Sequence, residues 1–188
     1  MKNLMTITTL FLAIVVVAFF IGRSSKPRNE NPLKSSVSAE KVAEAKRGTE
    51  PGSLAPEFQL TQLDGTALTL SELRGQPAVL VFWASWCSFC KEEAPHVNKL
   101  AESFTNRGVR VFGINVRDSQ ARTKWGVKNF GIHYPIVRDA NGDAARDYSV
   151  EGIPNVLFLD RKGVVRYVGS HIPGDYAERL ELMLAESN

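Results

Sequence analysis

Ala78-Val79-Leu80-Val81-Phe82-Trp83-Ala84-Ser85-Trp86-Cys87-Ser88-Phe89-Cys90-Lys91 runs from an unbroken apolar segment into the only two cysteines of the 188-residue chain. The apolar half reads as a strand buried on both faces. Lys91-Glu92-Glu93-Ala94-Pro95-His96-Val97 leaves it as a helix. A strand that delivers Cys-x-x-Cys to a helix start is the mark of a thiol–disulfide redox site. A structural staple would close a long loop, because that constrains the unfolded chain most. This pair closes almost none, so it reads as reactive.

Thiolate is the nucleophile in disulfide exchange, and a free cysteine with pKa ~8.5 is mostly protonated at neutral pH. Cys87 falls where unpaired helix N–H groups and the helix dipole favour negative sulfur. It is the expected nucleophile. Cys90, one turn on and expected to be more buried, is the resolving thiol. The intervening Ser88-Phe89 tunes the potential. A zinc site would need further ligands, and His96, His133 and His171 are not spaced to supply them. No cofactor or metal is expected.

The formal charge of +3 is unevenly placed: residues 1–51 carry +4 and residues 52–188 carry −1. The folded part therefore lacks the basic footprint of a nucleic-acid binder. Leu4–Ile21 is an uncharged apolar run of 18 residues, long enough to cross a bilayer core. It ends in bulky Phe19-Phe20-Ile21, where signal cleavage wants small residues, so it reads as an uncleaved inner-membrane anchor. Arg23, Lys26 and Arg28 follow it and, taken alone, would hold the next domain in the cytoplasm. The redox chemistry argues for the other side, and the expectation is a periplasmic or extracytoplasmic domain. The chain thus divides into an anchor (1–22), a Pro- and charge-rich linker (23–51) and one folded domain (52–188).

Within that domain, Asp64-Gly65 between two alternating segments predicts a hairpin over Glu57–Leu60 and Ala67–Leu70. Ser71–Gly75 reads as one helical turn. A helix follows from Cys87 to about Asn106, with Pro95 inside. Val109–Val116 reads as a strand, and Ser119–Phe130 as a helix with Trp125 on its apolar side. Tyr134–Val137 is extended and Ala144–Tyr148 a short helix. Val156–Leu159 and Val164–Val168 form a second hairpin around Lys162-Gly163, and Asp175–Glu186 closes the chain as an amphipathic helix. The order implies an α/β domain with a mixed sheet.

Phe82–Lys91 resembles the active site of the thioredoxin superfamily, and Gly152-Ile153-Pro154 resembles its second signature, a cis-proline facing the cysteines. Within the superfamily the chain is similar to the membrane-anchored TlpA/ResA-like and CcmG/DsbE-like proteins. The likeness rests on the anchor, the Pro56-Glu57-Phe58 opening and its hairpin, Cys90–Pro95, and the insertion between Val116 and Pro135. It implies a thioredoxin-like fold with an N-terminal hairpin extension and transmembrane helix. It also implies reduction of disulfides in periplasmic proteins such as apocytochrome c during cytochrome c maturation, with a membrane thiol reductase as electron donor. Val81 stands where thioredoxin has a buried Asp, and Glu93 matches a glutamate of the anchored relatives. Glu93 shares a helix face with Cys90 and reads as a proton relay, against the alternative of a solvated member of the Glu92-Glu93 pair. Trp86, Ile153 and Pro154 are the expected substrate contacts, Ile153 through its backbone. Phe89 replaces a proline common in relatives.

Two other activities remain open on this reading. A thiol peroxidase would resemble Thr or Ser three residues before the cysteine, where this chain has Ala84. A copper-binding assembly factor would resemble Cys-x-x-x-Cys with a distant His, one residue more than the spacing here.

Overall fold

The computed structural model describes residues 46–186. Leu4–Ile21 and most of the expected linker lie outside the described residues. Backbone bonding begins before Gly52: Leu54 N–H donates to Lys46 O (3.1 Å), and Gly48 N–H donates to Leu54 O (3.0 Å).

Seven strands form one sheet in the order β2-β1-β5-β4-β3-β6-β7. They are β1 (Gln59–Gln62), β2 (Ala67–Thr69), β3 (Ala78–Trp83), β4 (Arg110–Val116), β5 (Ile136–Asp139), β6 (Asn155–Leu159) and β7 (Val165–Gly169). The helices are α1 (Ser88–Phe104), α2 (Gln120–Phe130), α3 (Asp143–Asp147) and α4 (Tyr176–Ala185). β3, β4 and β5 are parallel; β6 and β7 run antiparallel to their neighbours.

The predicted hairpin forms, with Leu60 opposite Leu68. The Asp64 carboxylate accepts from Thr66 N–H (2.9 Å) and shapes its turn. That bond holds the Asp64 carboxyl below its usual range. The hairpin is not a separate appendage. β1 pairs with β5, Thr61 opposite Arg138, and so extends the main sheet.

β3 is buried along its whole length, as its unbroken apolar run predicts. Leu80 and Phe82 join one core layer with Phe58, Phe112, Tyr148 and Leu157. Val79, Val81 and Trp83 point into the other, with Val97, Leu100 and Phe158. Both cysteines belong to this second layer. α1 packs there through Cys90, Ala94, Val97, Leu100 and Phe104, the spacing of one helix face. Pro95 lies on the exposed side.

One helix face departs from expectation. Trp125 is 57% exposed, and α2 buries Thr123, Gly126 and Phe130 instead. The reason is a close approach. A Cβ at Gly126 would meet Trp83 Cζ3 at 2.8 Å and Ser85 Cβ at 3.0 Å, so the glycine lets α2 rest on the end of β3.

Candidate active site

The end of β3 and the start of β6 are brought together by their antiparallel pairing, Phe82 opposite Asn155. The Cys87 turn follows the first strand and Pro154 precedes the second. Neighbouring strands therefore place two segments 66 residues apart side by side. Cys87 Sγ lies 3.5 Å from Ile153 O. The Ile153–Pro154 peptide is cis, as the resemblance implies.

Cys87 is the N-cap residue of α1, with extended backbone (φ −89°, ψ 111°). Its Sγ accepts from Cys90 N–H at 3.0 Å. A sulfur at this place receives a helix-terminal N–H, which stabilises negative charge on it. The two cysteines are joined as a disulfide, and both are buried, Cys87 at 6% and Cys90 at 4% exposure. The flanking rings do the opposite. Trp86 is 66% exposed and Phe89 68%, so apolar surface surrounds the pair. Two exposed aromatic rings next to the cysteines in the chain offer apolar contact area there.

Glu93 lies one turn beyond Cys90 and is 8% exposed, whereas Glu92 beside it is exposed. The solvated alternative is therefore set aside. Ile172 N–H donates to Glu93 Oε1 at 2.6 Å. His96 Nδ1 stands 3.2 Å from Glu93 Oε2, although the His96 ring is otherwise exposed as expected. Tyr134 feels this carboxyl: burial pushes its hydroxyl pKa well up, and the Glu93 charge adds to the effect.

A second polar cluster behind the cysteine turn escaped the sequence reading. The Asp118 carboxylate accepts from Ser85 N–H (2.7 Å), Ser85 Oγ–H (3.1 Å) and Asn115 Nδ2–H (3.0 Å). Thr123 Oγ1–H donates to Asn115 Oδ1 at 2.6 Å, which orients that amide. All four side chains are buried. The cluster holds the backbone of Ser85, two residues before Cys87. The one available signal was position: Asp118 follows the C-terminal end of β4, where parallel sheets build their sites. Among the described residues no three His, Cys, Asp or Glu side chains converge as a metal-binding group.

A model of the AhpC/TSA family matches residues 51–168. The chain belongs to the AhpC/TSA family. The thiol-disulfide oxidoreductase ResA of Geobacillus kaustophilus is 33% identical over 132 residues, 69% of this chain and 76% of that protein. The thiol:disulfide interchange protein DsbE of Pseudomonas fluorescens is 39% identical over 122 residues, 63% of this chain and 66% of that protein. Among solved structures, a thioredoxin-family thiol:disulfide interchange protein from Chlorobium tepidum superposes with TM-score 0.61 at 26% identity, covering 72% of this chain and 98% of that one. A secreted Mycobacterium tuberculosis disulfide oxidoreductase gives 0.57 at 28% identity, covering 69% and 96%. The fold is thioredoxin-like. This AhpC/TSA member is a thiol–disulfide oxidoreductase of the ResA/DsbE type, and its redox centre is the Cys87–Cys90 pair.

Proposed function

We propose that the protein is a membrane-tethered reductase of protein disulfides on the extracytoplasmic side of a bacterial inner membrane. Its substrates include the cysteine pair of apocytochrome c, and a membrane thiol reductase returns its electrons. The observation that carries this reading is the placement of Cys87 at a helix N-terminus, against Ile153 O, within exposed aromatic surface. The apolar run Leu4–Ile21 supports the tether, and the resemblance to anchored cytochrome c biogenesis proteins supports the substrate.

In the reduced protein the Cys87 thiolate attacks one sulfur of the target disulfide. The target S–S bond breaks, its other sulfur leaves as a thiolate, and a mixed disulfide forms on Cys87. Glu93 takes the proton of Cys90. The Cys90 thiolate then attacks Cys87 Sγ, forming the Cys87–Cys90 bond and releasing the second target thiolate. The two departing thiolates are protonated by solvent or by the proton passed on from Glu93. Two electrons move from the pair to the target. Trp86 and the cis Ile153–Pro154 segment hold the target chain during these steps. No backbone–backbone hydrogen bond among the described residues uses the Ile153 N–H or C=O; Cys87 Sγ lies against the C=O, and the N–H is available to an extended segment.

A Cys90→Ala variant tests the reading. Cys87 then stays attached to its target, and the expected product is a mixed disulfide with an apocytochrome c. Recovery of adducts with small thiols alone would overturn the claim of a protein substrate.

A further inference from the structure

Gly152 and Ile153 form a ridge between two cavities of about equal size, ≈ 560 Å³ each. Cys87 Sγ sits against that ridge. The cavity on the Phe89 side is lined by Glu92, Glu93, His96 and His171 and is acidic while the histidines are neutral. The cavity on the Trp86 side is lined by Arg117, Arg146, Val150 and Glu151 and is basic by one charge. A segment crossing the disulfide therefore meets opposite charges at its two ends.

Arg117 is the cation that stands ready in the second cavity. Arg146 is already paired with Asp143 at 2.7 Å. Arg117 is exposed and makes no ion pair among the described residues. Its backbone is unusual for a side chain of its size. It holds φ +56°, and its N–H donates to Asp139 O at 2.9 Å. A non-glycine residue held in the left-handed region is costly and is found where surroundings or function demand it. Its guanidinium lies against Gly142, where any Cβ would overlap it. Backbone and neighbouring glycine thus fix the side chain of Arg117, an unpaired cation among the described residues in the lining of the cavity that also holds Gly152 and Ile153.

We propose that Arg117 selects target segments that carry an acidic side chain on the Trp86 side of the cysteine to be attacked. The inference rests on the reading of this protein as a protein-disulfide reductase. It adds to it a charge preference set by one side chain. Arg146 is held by Asp143, so the preference follows Arg117, which has no ion pair among the described residues.

The test uses the reduced full chain and three peptides. Each carries one cysteine in a mixed disulfide with 2-mercaptoethanol. The peptides are identical except for Glu, Gln or Lys at one position two residues from that cysteine. Each is made in two versions, with that position before or after the cysteine; the version whose varied residue lies on the Trp86 side is the one that shows the order below. The readout is the rate at which the Cys87–Cys90 disulfide forms, followed by quenched-flow alkylation. The Glu peptide is expected to react about two- to fivefold faster than the Gln peptide at low salt, the scale of an exposed ion pair, and the Lys peptide more slowly. Salt should shrink the difference. Arg117→Gln should erase the order and Arg117→Glu should reverse it. The ratio of rates carries the answer, whatever either substitution does to their size. Equal rates for the three peptides in the parent chain overturn the inference alone, as does a Glu preference that survives Arg117→Gln. Failure to reduce any peptide overturns the reductase reading and the inference with it.

Discussion

Asp118 and Glu93 are both buried carboxyl side chains near the Cys87–Cys90 turn, and both follow it in the chain. Asp118 is surrounded by three donors that belong to the scaffold, and it lines neither of the two cavities beside the Ile153 ridge. Glu93 has one backbone donor and one histidine, and it lines the cavity beside Pro154. A carboxylate whose lone pairs are filled by fixed N–H and O–H groups is a strut. One with capacity left over and a route to solvent can exchange a proton. The same functional group thus serves rigidity in one place and chemistry in the other.

The largest effect should come from removing the strut. Asp118→Ala orphans Ser85 N–H and Asn115 Nδ2–H in the interior. Buried donors left unsatisfied cost about 1–3 kcal/mol each, so the loss should be about 2–6 kcal/mol in total. At about 2–4 °C per kcal/mol for a domain of this size, the melting temperature should fall by about 4–24 °C. Calorimetry on the oxidised protein checks this. A change under 1 °C would mean that the cluster does not hold the turn.

Glu93→Gln should separate the two roles. Gln keeps the volume and can still accept from Ile172 N–H, so stability should change by about 1 kcal/mol or less. The exchange rate should fall by about tenfold to a hundredfold, the lower range for loss of a positioned general base. The thiol titration should also move, because a carboxylate near the cysteines raises their pKa by like-charge repulsion and Gln does not. Thiolate absorbance should therefore appear at lower pH in the variant. An unmoved titration and an unchanged rate would make Glu93 a second strut and erase the contrast with Asp118.

The difference between the two carboxyls was only half legible in the sequence. The strand–turn–helix around Cys87 was readable because its signals are local: an apolar run in β3, the Cys-x-x-Cys that follows it, and the helix-like Lys91–Val97 segment that leaves it. Glu93 could be singled out by its i, i+3 relation to Cys90. Its burial could not, because the partner that holds it, Ile172, lies 79 residues away. Asp118 was missed for the same reason, its bond to Ser85 spanning 33 residues. Trp125 was misplaced because hydrophobicity alone does not say which side of a helix meets the sheet. There the contact was made by the smallest residue, Gly126, against the largest, Trp83.

Gly126→Ala probes the strut indirectly, since the new methyl would press on Ser85, which donates to Asp118. Alanine gains about 1 kcal/mol of helix propensity over glycine. Against that stands a contact of 2.8 Å with Trp83, which is 1% exposed and has nowhere to move. Overpacking of this kind costs about 1–3 kcal/mol. The clash should outweigh the propensity gain, for a net loss of about 1 kcal/mol in denaturant unfolding. A gain in stability would show that α2 can slide off β3 without disturbing Ser85.

Trp125→Ala, one residue earlier on α2, should produce the smallest change. The tryptophan ring is mostly in solvent, and alanine is the better helix former. Surface replacements away from caps and buried groups stay within about 0.5 kcal/mol, so the melting temperature should move by no more than about 2 °C. The pair of adjacent substitutions then reads the orientation of the helix directly: the glycine position is sensitive because it faces Trp83 and Ser85, and the tryptophan position is silent because it does not. If Trp125→Ala cost as much as Gly126→Ala, the helix would have to bury its other face in solution. Thr123 would then lose Asn115, and the Asp118 strut could not be built as described.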